Sequence, residues 1–133
     1  MRRVLIVEDD PCLLLVLRGA LFEAGHHVDT AETFGAGDEL LSSHSYDAIV
    51  TDGLLPDGQG IKLADKAAER GIPALVITGY LYGLRKAYPT IDFDKYTILQ
   101  KPLEPDVFLE TIEVLLAGSY PDKRRAAYLT SAA

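Results

Sequence analysis

Residues 4–11 read Val-Leu-Ile-Val-Glu-Asp-Asp-Pro, and this stretch decides the fold of the chain. Four consecutive apolar residues, mostly β-branched, are typical of a strand that is buried on both faces of a parallel sheet. Asp10 followed by Pro11 is typical of a helix start, because the carboxylate caps free backbone N–H groups and proline suits the first helical position. The stretch therefore predicts a strand, an acidic loop and a helix in immediate succession.

The same alternation continues along the chain. Four further apolar runs predict strands at residues 27–31, 48–51, 74–78 and 96–100. Helically spaced apolar residues lie between them, and Gly25, Gly71 and Gly118 stand where helix C-termini favour glycine. Strands that alternate with helices indicate right-handed βαβ units. We therefore predict an α/β fold, a three-layer α/β/α sandwich around a five-stranded parallel sheet.

Two regions depart from a regular helical pattern. Residues 33–43 contain two glycines, which favour a short or frayed second helix. Residues 80–95 contain three tyrosines, a glycine and a proline. There we expect a fourth helix that is short or irregular, one or two turns over residues 81–88, followed by a loop. The domain is expected to span residues 1–118, with residues 119–133 as a C-terminal tail.

The composition is that of an ordinary globular domain of 133 residues, 48% hydrophobic and 25% charged. The single cysteine, Cys12, excludes an intramolecular disulfide and suits a reducing cytoplasm. The net charge of -7 argues against nucleic acid as a direct partner. No apolar run approaches the ~20 residues of a membrane helix. We expect a cytoplasmic chain with neither a nucleic-acid nor a membrane partner.

Polar side chains follow the predicted strands at the point where each strand ends. In an open parallel sheet these ends lie at one edge, where ligands bind. The edge collects three acids, a hydroxyl and a lysine: Glu8, Asp9, Asp52, Thr78 and Lys101. Clustered carboxylates repel one another unless a cation neutralises them, and hard oxygen ligands suit Mg²⁺. Such a carboxylate can be the nucleophile toward a phosphoryl group, while a lysine and a hydroxyl bind the other phosphoryl oxygens.

Each of these residues also has a purely structural interpretation. Asp10 is best explained as the cap of the first helix. Taken alone, Asp52 could be a turn residue, Thr78 a strand-end threonine and Lys101 a surface lysine. Their occurrence at successive strand ends favours one shared site.

The ordered set of motifs resembles the receiver domain of bacterial two-component response regulators. The matching features are the acids after the first strand, an aspartate with proline four and glycine eight residues later, a Thr-Gly pair and a Gln-Lys-Pro triplet; they comprise Glu8, Asp9, Asp52, Pro56, Gly60, Thr78, Gly79, Gln100, Lys101 and Pro102. The resemblance covers residues 2–118 and implies the flavodoxin-like strand order 2-1-3-4-5. It also implies a protein that is not an enzyme for other substrates and catalyses only its own phosphorylation and dephosphorylation.

The resemblance assigns a role to each site residue. Asp52 is the expected phosphoacceptor, and Thr78 and Lys101 are expected to contact phosphoryl oxygens, with room left by Gly79. The implied cofactor is Mg²⁺. Its expected ligands are Asp9, Asp52, the backbone carbonyl of Leu54 and, through water, Glu8.

The resemblance also implies partners: a histidine kinase or histidine phosphotransfer protein and an unidentified downstream protein, with a homodimer left open. The expected docking residues for the phosphodonor are Leu13, Leu14, Pro102 and Leu103. The alternative for the apolar first helix is that both of its sides pack inside the domain. The alternative for the whole chain is a receiver-like interaction module that binds partners without phosphorylation. A phosphatase of similar topology is disfavoured, because no Asp-x-Asp pair follows the first strand.

One position departs from the family pattern, and two others bear on the lifetime of the phosphoryl group. Ile98 stands where the family commonly has an aromatic switch residue, and Tyr96 on the same strand face is a candidate replacement. The residues two after Asp52 and two after Thr78 influence acyl-phosphate hydrolysis in the family. Here they are Leu54, which cannot orient a water molecule, and the bulky Tyr80. The resemblance therefore predicts slow self-dephosphorylation.

Overall fold

The computed structural model describes residues 2–92 and 95–118, in which five strands alternate with five helices. In chain order these are β1 (Arg3–Val7), α1 (Pro11–Glu23), β2 (His27–Ala31), α2 (Phe34–Ser43), β3 (Ala48–Asp52), α3 (Gly60–Glu69), β4 (Ala74–Thr78), α4 (Leu81–Ala87), β5 (Thr97–Gln100) and α5 (Pro105–Leu116). The strands pair in parallel in the order β2-β1-β3-β4-β5. The predicted sandwich and its strand order are confirmed.

Two apolar cores cover the two faces of the sheet. Successive strand residues point to opposite faces, so Val4 and Ile6 pack with α1 and α5 while Leu5 and Val7 pack with α2 and α3. Every residue of β3 and β4 is buried, whereas the edge strand β2 is largely half-exposed. The sites at the ends of the central strands are therefore held by the best-packed part of the chain.

The helix ends follow the sequence signals. Asp10 caps α1, since its Oδ1 accepts hydrogen bonds from the N–H groups of Cys12 at 2.9 Å and Leu13 at 3.3 Å. Three glycines after helices adopt positive φ angles: Gly25 at 91°, Gly71 at 73° and Gly118 at 78°. Only glycine adopts that conformation without steric cost, so these positions end α1, α3 and α5.

The expectation of a short or frayed second helix is wrong. The α2 helix is regular over ten residues, and the Thr33 hydroxyl caps it by accepting a hydrogen bond from the N–H of Ala36 at 3.1 Å. Gly37 is buried, and a Cβ atom there would lie 2.7 Å from Cγ2 of Val7. The glycine lets α2 approach β1 closely, and this packing offsets its helix penalty of about 1 kcal/mol.

The fourth helix is short, as predicted. It has seven residues and ends one residue before the expected limit. The last strand begins at Thr97, so Tyr96 directly precedes it. No helix within residues 2–92 and 95–118 has both the length and the apolar character needed to cross a membrane. The predicted tail, residues 119–133, lies outside the described residues.

Candidate functional site

Three strand ends form the centre of the site. Glu8 directly follows β1, Asp52 is the last residue of β3, and Lys101 directly follows β5. The Lys101 Nζ donates hydrogen bonds to Asp52 Oδ2 at 2.8 Å and to Glu8 Oε1 at 3.0 Å. The backbone N–H of Lys101 also donates to the carbonyl of Thr78 at 2.8 Å, which fixes the start of its loop. We call Glu8, Asp9, Asp52, Thr78 and Lys101 the rim.

The three acids of the rim could hold a cation. One carboxylate oxygen from each of Glu8, Asp9 and Asp52 lies within 4.8 Å of the others. Glu8 and Asp52 are buried and Asp9 is exposed, so the cluster opens toward solvent on one side. Within the described residues the buried Oε2 of Glu8 has no hydrogen-bond partner. A buried carboxylate oxygen without a partner is costly, and a cation or a bound water would satisfy it.

The charges of the rim are coupled. Burial raises the pKa of Glu8 to about 7, against the opposing hydrogen bond from Lys101. Burial also disfavours the charged form of Lys101, but its hydrogen bonds to Asp52 and Glu8 outweigh this and raise the pKa of Lys101. The lysine is therefore held in its charged form between two carboxyl groups.

Gly60 explains the position of Asp52. A Cβ atom on Gly60 would lie 1.6 Å from the carbonyl oxygen of Asp52 and 2.9 Å from Oγ1 of Thr51. The first residue of α3 thus lies directly against the backbone of β3, and only glycine fits. The N–H of Leu54 donates to Oδ1 of Asp52 at 3.1 Å and orients the carboxylate further.

Sequence reasoning missed Asp57, which links the loop after β3 to α2. Its carboxylate accepts hydrogen bonds from the N–H groups of Phe34 at 2.7 Å and Gly35 at 3.0 Å. The hydrogen bond from Gly35, with that from Phe34, lowers the pKa of Asp57. The Asp57-Gly58 dipeptide is a turn signal that indicates the turn itself, but no local pattern identifies a partner more than 20 residues away.

Thr78 is buried at the end of β4, and its Oγ1 accepts a hydrogen bond from the N–H of Tyr80 at 3.2 Å. A Cβ atom on Gly79 would meet no atom within 4 Å, so space is open beside the threonine. The structure thus brings every predicted rim residue to one edge of the sheet. The chemical roles assigned to these residues stay predictions.

One predicted docking residue is wrong. Leu14 is buried with the rest of the inner α1 stripe, because its side chain faces the sheet. Leu13 and Leu103 are half-buried and Pro102 is exposed. The exposed apolar residues of α1 are instead Leu15, Val16 and Phe22, which are 66%, 51% and 70% exposed. Successive helix residues differ by about 100° in direction, so neighbours of Leu14 point to solvent.

The two candidate switch positions are both buried. Ile98 and Tyr96 pack in the core between the sheet, α3 and α4. The Tyr96 hydroxyl donates a hydrogen bond to Oδ1 of Asp65 on α3 at 2.8 Å. Burial and this hydrogen bond raise the pKa of Tyr96. In this conformation the Tyr96 ring points inward and is tied to α3; whether it replaces the aromatic switch stays a prediction.

Comparison with known proteins places this geometry in a family. A family model described as response regulator receiver domain matches residues 4–113. Protein PilH of Pseudomonas aeruginosa is 30% identical over 128 residues, covering 89% of this chain and 100% of PilH. The virulence transcriptional regulatory protein PhoP of Salmonella typhimurium is 38% identical over 80 residues, covering 59% of this chain and 36% of PhoP. The chain thus aligns with only about a third of the length of PhoP.

Solved structures match the fold over almost its whole length. A CheY-like receiver domain protein from Methanospirillum hungatei superposes with a TM-score of 0.78 at 27% identity, covering 89% of this chain and 95% of that one. TrrA from Thermotoga maritima, solved in complex with Mg²⁺-BeF, superposes with a TM-score of 0.73 at 24% identity. The match covers 86% of this chain and 99% of the TrrA chain. The strand order, the rim and the family match agree, and the chain belongs to the response regulator receiver domains of two-component signalling.

Proposed function

We propose that Asp52 accepts a phosphoryl group from a phosphohistidine on a partner protein, with Mg²⁺ bound at the rim, and that the product controls contact with a downstream protein. The observation that carries this proposal is the cluster in which Lys101 bridges the carboxylates of Glu8 and Asp52. Phosphorylation-based signalling is the general activity of the family, whereas the phosphodonor and the metal are our assignment.

The rim residues fit Mg²⁺. Asp9, Asp52 and the Leu54 carbonyl would hold the ion, and the partnerless Oε2 of Glu8 would bind one of its water molecules. All of these are oxygen ligands, which Mg²⁺ prefers. When bound, Mg²⁺ neutralises clustered carboxylates and phosphoryl oxygens. TrrA, which has the same fold, was solved in complex with Mg²⁺-BeF.

The chain's own residues supply the transfer step. A carboxylate oxygen of Asp52 attacks phosphorus, the P–O bond forms, and the P–N bond of the phosphohistidine breaks with its electron pair going to the imidazole nitrogen. Lys101, held in its charged form, passes from the Asp52 carboxylate to an oxygen of the bound phosphoryl group. Thr78 donates its hydroxyl to a second oxygen. The reacting group is the chain's own Asp52, so we propose self-modification without turnover of other substrates.

The partner that supplies the phosphoryl group is proposed to be a histidine kinase or a histidine phosphotransfer protein. Leu15 and Val16 in the N-terminal half of α1, together with Pro102 and Leu103 after β5, are proposed as its docking surface. The phosphorylated form would favour a second conformation through Thr78 and the loop that follows it, and so change the affinity for a downstream protein. We expect this to occur in the cytoplasm, without contact with nucleic acid.

The test is intact mass after incubation with Mg²⁺ and a small-molecule phosphodonor. Wild type should gain one phosphoryl group, and the gain should disappear in Asp52→Asn and after addition of a chelator beforehand. Asp10→Asn is the matched control, because it neutralises an acid two residues from Glu8 while asparagine caps α1 equally well. An adduct on Asp52→Asn, or its persistence without metal, would contradict the proposal.

A second candidate is a receiver-like module that binds partners without phosphorylation. Two observations favour it: Ile98 replaces the expected aromatic residue, and α4 has only seven residues. The absence of any adduct, together with no Mg²⁺ binding by titration calorimetry, would favour this candidate over the first.

A further inference from the structure

Tyr80 connects the rim to the fourth helix. Its backbone N–H donates to Oγ1 of Thr78 at 3.2 Å, and its carbonyl accepts from the N–H of Leu84 at 3.0 Å in the first turn of α4. Its side chain is 63% exposed. The hydroxyl of Thr78 and the start of α4 are therefore joined through the backbone of one residue.

The ring of Tyr80 lies against Gly83. A Cβ atom at position 83 would lie 2.5 Å from Cδ1, 2.7 Å from Cε1 and 3.2 Å from Cγ of that ring. The first two distances are shorter than real Cβ contacts, so any other residue at position 83 displaces the ring. Tyr82 lies beside it, with ring centroids 6.1 Å apart, and Lys86 Nζ is 5.8 Å from the Tyr82 centroid.

Gly83 is unfavourable for the helix itself. A glycine inside a helix costs about 1 kcal/mol relative to alanine, a large cost for a helix of seven residues. The contact of the Tyr80 ring with Gly83 offsets little of this cost, because the side chain of Tyr80 is 63% exposed and buries little apolar surface. Among the described residues, the Tyr80 ring is the neighbour that a side chain at position 83 would displace.

We propose that Gly83 is a positioning residue, which holds the Tyr80 ring on α4 and thereby couples the Thr78 hydroxyl to the first turn of that helix. The inference rests on the proposed phosphorylation of Asp52. When the Thr78 hydroxyl turns to a phosphoryl oxygen, the N–H of Tyr80 loses its acceptor and the loop can move. Ile98 carries no ring and the Tyr96 hydroxyl is bound to Asp65, whereas Tyr80 contacts Thr78 directly.

The first test is a double-mutant cycle on stability, which needs no phosphorylation. Urea unfolding measures the effect of Gly83→Ala on the unfolding midpoint, once with Tyr80 present and once in the Tyr80→Ala background. Gly19→Ala on α1 is the control, since a Cβ atom there meets nothing within 4 Å. Gly19→Ala should raise the unfolding midpoint, and so should Gly83→Ala when residue 80 is alanine. With Tyr80 present the gain should be clearly smaller. Equal gains in both backgrounds would overturn the proposed contact.

The second test measures the half-life of the acyl phosphate on Asp52 in the four proteins of the cycle, which are wild type, Tyr80→Ala, Gly83→Ala and the double variant. Tyr80→Ala should shorten it, because the residue two after the threonine influences acyl-phosphate hydrolysis in this family and the bulky Tyr80 is expected to slow it. Gly83→Ala should shorten it by about threefold with Tyr80 present, a coupling usual for contacting residues, and leave it unchanged with Ala at position 80. An equal effect in both backgrounds would overturn the coupling. Failure of wild type to take a phosphoryl group would contradict the proposed function, while the stability cycle would still decide the contact.

Discussion

The rim and the segment around α4 both follow strand ends, yet they are built in opposite ways. The rim joins residues 49 and 93 positions apart in the chain, through hydrogen bonds from Lys101 to Asp52 and Glu8. The segment of residues 80–91 combines contacts within a few residues, such as Tyr80 with Gly83, with an anchor in the core through the buried Leu84. Long-range contacts make the rim dependent on the whole sheet. The hydrogen bonds at the centre of the rim join distant positions, whereas the contact of Tyr80 with Gly83 joins positions three residues apart.

The largest effect is expected from breaking the rim at Gly60. Gly60→Ala places a methyl group on the Asp52 backbone, and the free energy of unfolding should fall by about 3 kcal/mol, as for severe overpacking. Urea unfolding measures this, with Gly19→Ala as a control that should raise the unfolding midpoint. A loss well below about 1 kcal/mol would mean that β3 and α3 separate easily at this point.

A second change at the rim separates stability from metal binding. Glu8→Gln removes a buried charge whose pKa is already raised to about 7 by burial. We expect the metal-free protein to gain about 1 kcal/mol, because a neutral amide is easier to bury than a carboxylate. The Mg²⁺ affinity should fall about tenfold, as for loss of an outer ligand. Calorimetric titration and urea unfolding test both effects, and a variant with unchanged Mg²⁺ affinity would contradict the assigned role of Glu8.

A matched pair of tyrosine variants tests the strand that follows the α4 segment. Tyr96→Phe removes a hydrogen bond to Asp65 on α3, and Tyr46→Phe removes a similar one, at 2.7 Å, to Asp29 in β2. Each should lower the free energy of unfolding by about 1 kcal/mol. If Tyr96 replaces the missing aromatic switch, Tyr96→Phe alone should also change how far phosphorylation shifts the unfolding midpoint. If Tyr96→Phe and Tyr46→Phe have equal effects in both assays, the hydrogen bond of Tyr96 is only structural and Tyr96 does not replace the aromatic switch.

The smallest effect concerns Asp57, which ties the loop after β3 to α2. Its pKa is lowered in the folded protein, so its carboxylate stabilises the fold above the unfolded pKa of about 4. That contribution is lost as the pH falls through the lower folded pKa. Asp57→Ala should therefore lower the thermal midpoint at pH 7, and its difference from wild type should shrink below pH of about 4. A difference independent of pH would contradict this role.

Much of the fold could be predicted because its signals are local. Continuous apolar runs are typical of buried parallel strands, and Asp10-Pro11 and Gly25 mark the ends of a helix. The rim was predictable for the same reason: in a parallel sheet, residues that follow the strands must meet at one edge. The order of the strands came from the resemblance to the family and was confirmed by the pairing.

The sequence by itself thus determined the order of elements, the helix caps and the set of rim residues, since each depends on patterns a few residues long. Only the tertiary structure decided that α2 is regular over Gly37 and that Gly60 lies on the Asp52 backbone. These outcomes depend on atoms that the fold brings together from distant positions. The free energy of such close packing exceeds local propensity, and no short stretch of sequence contains both partners.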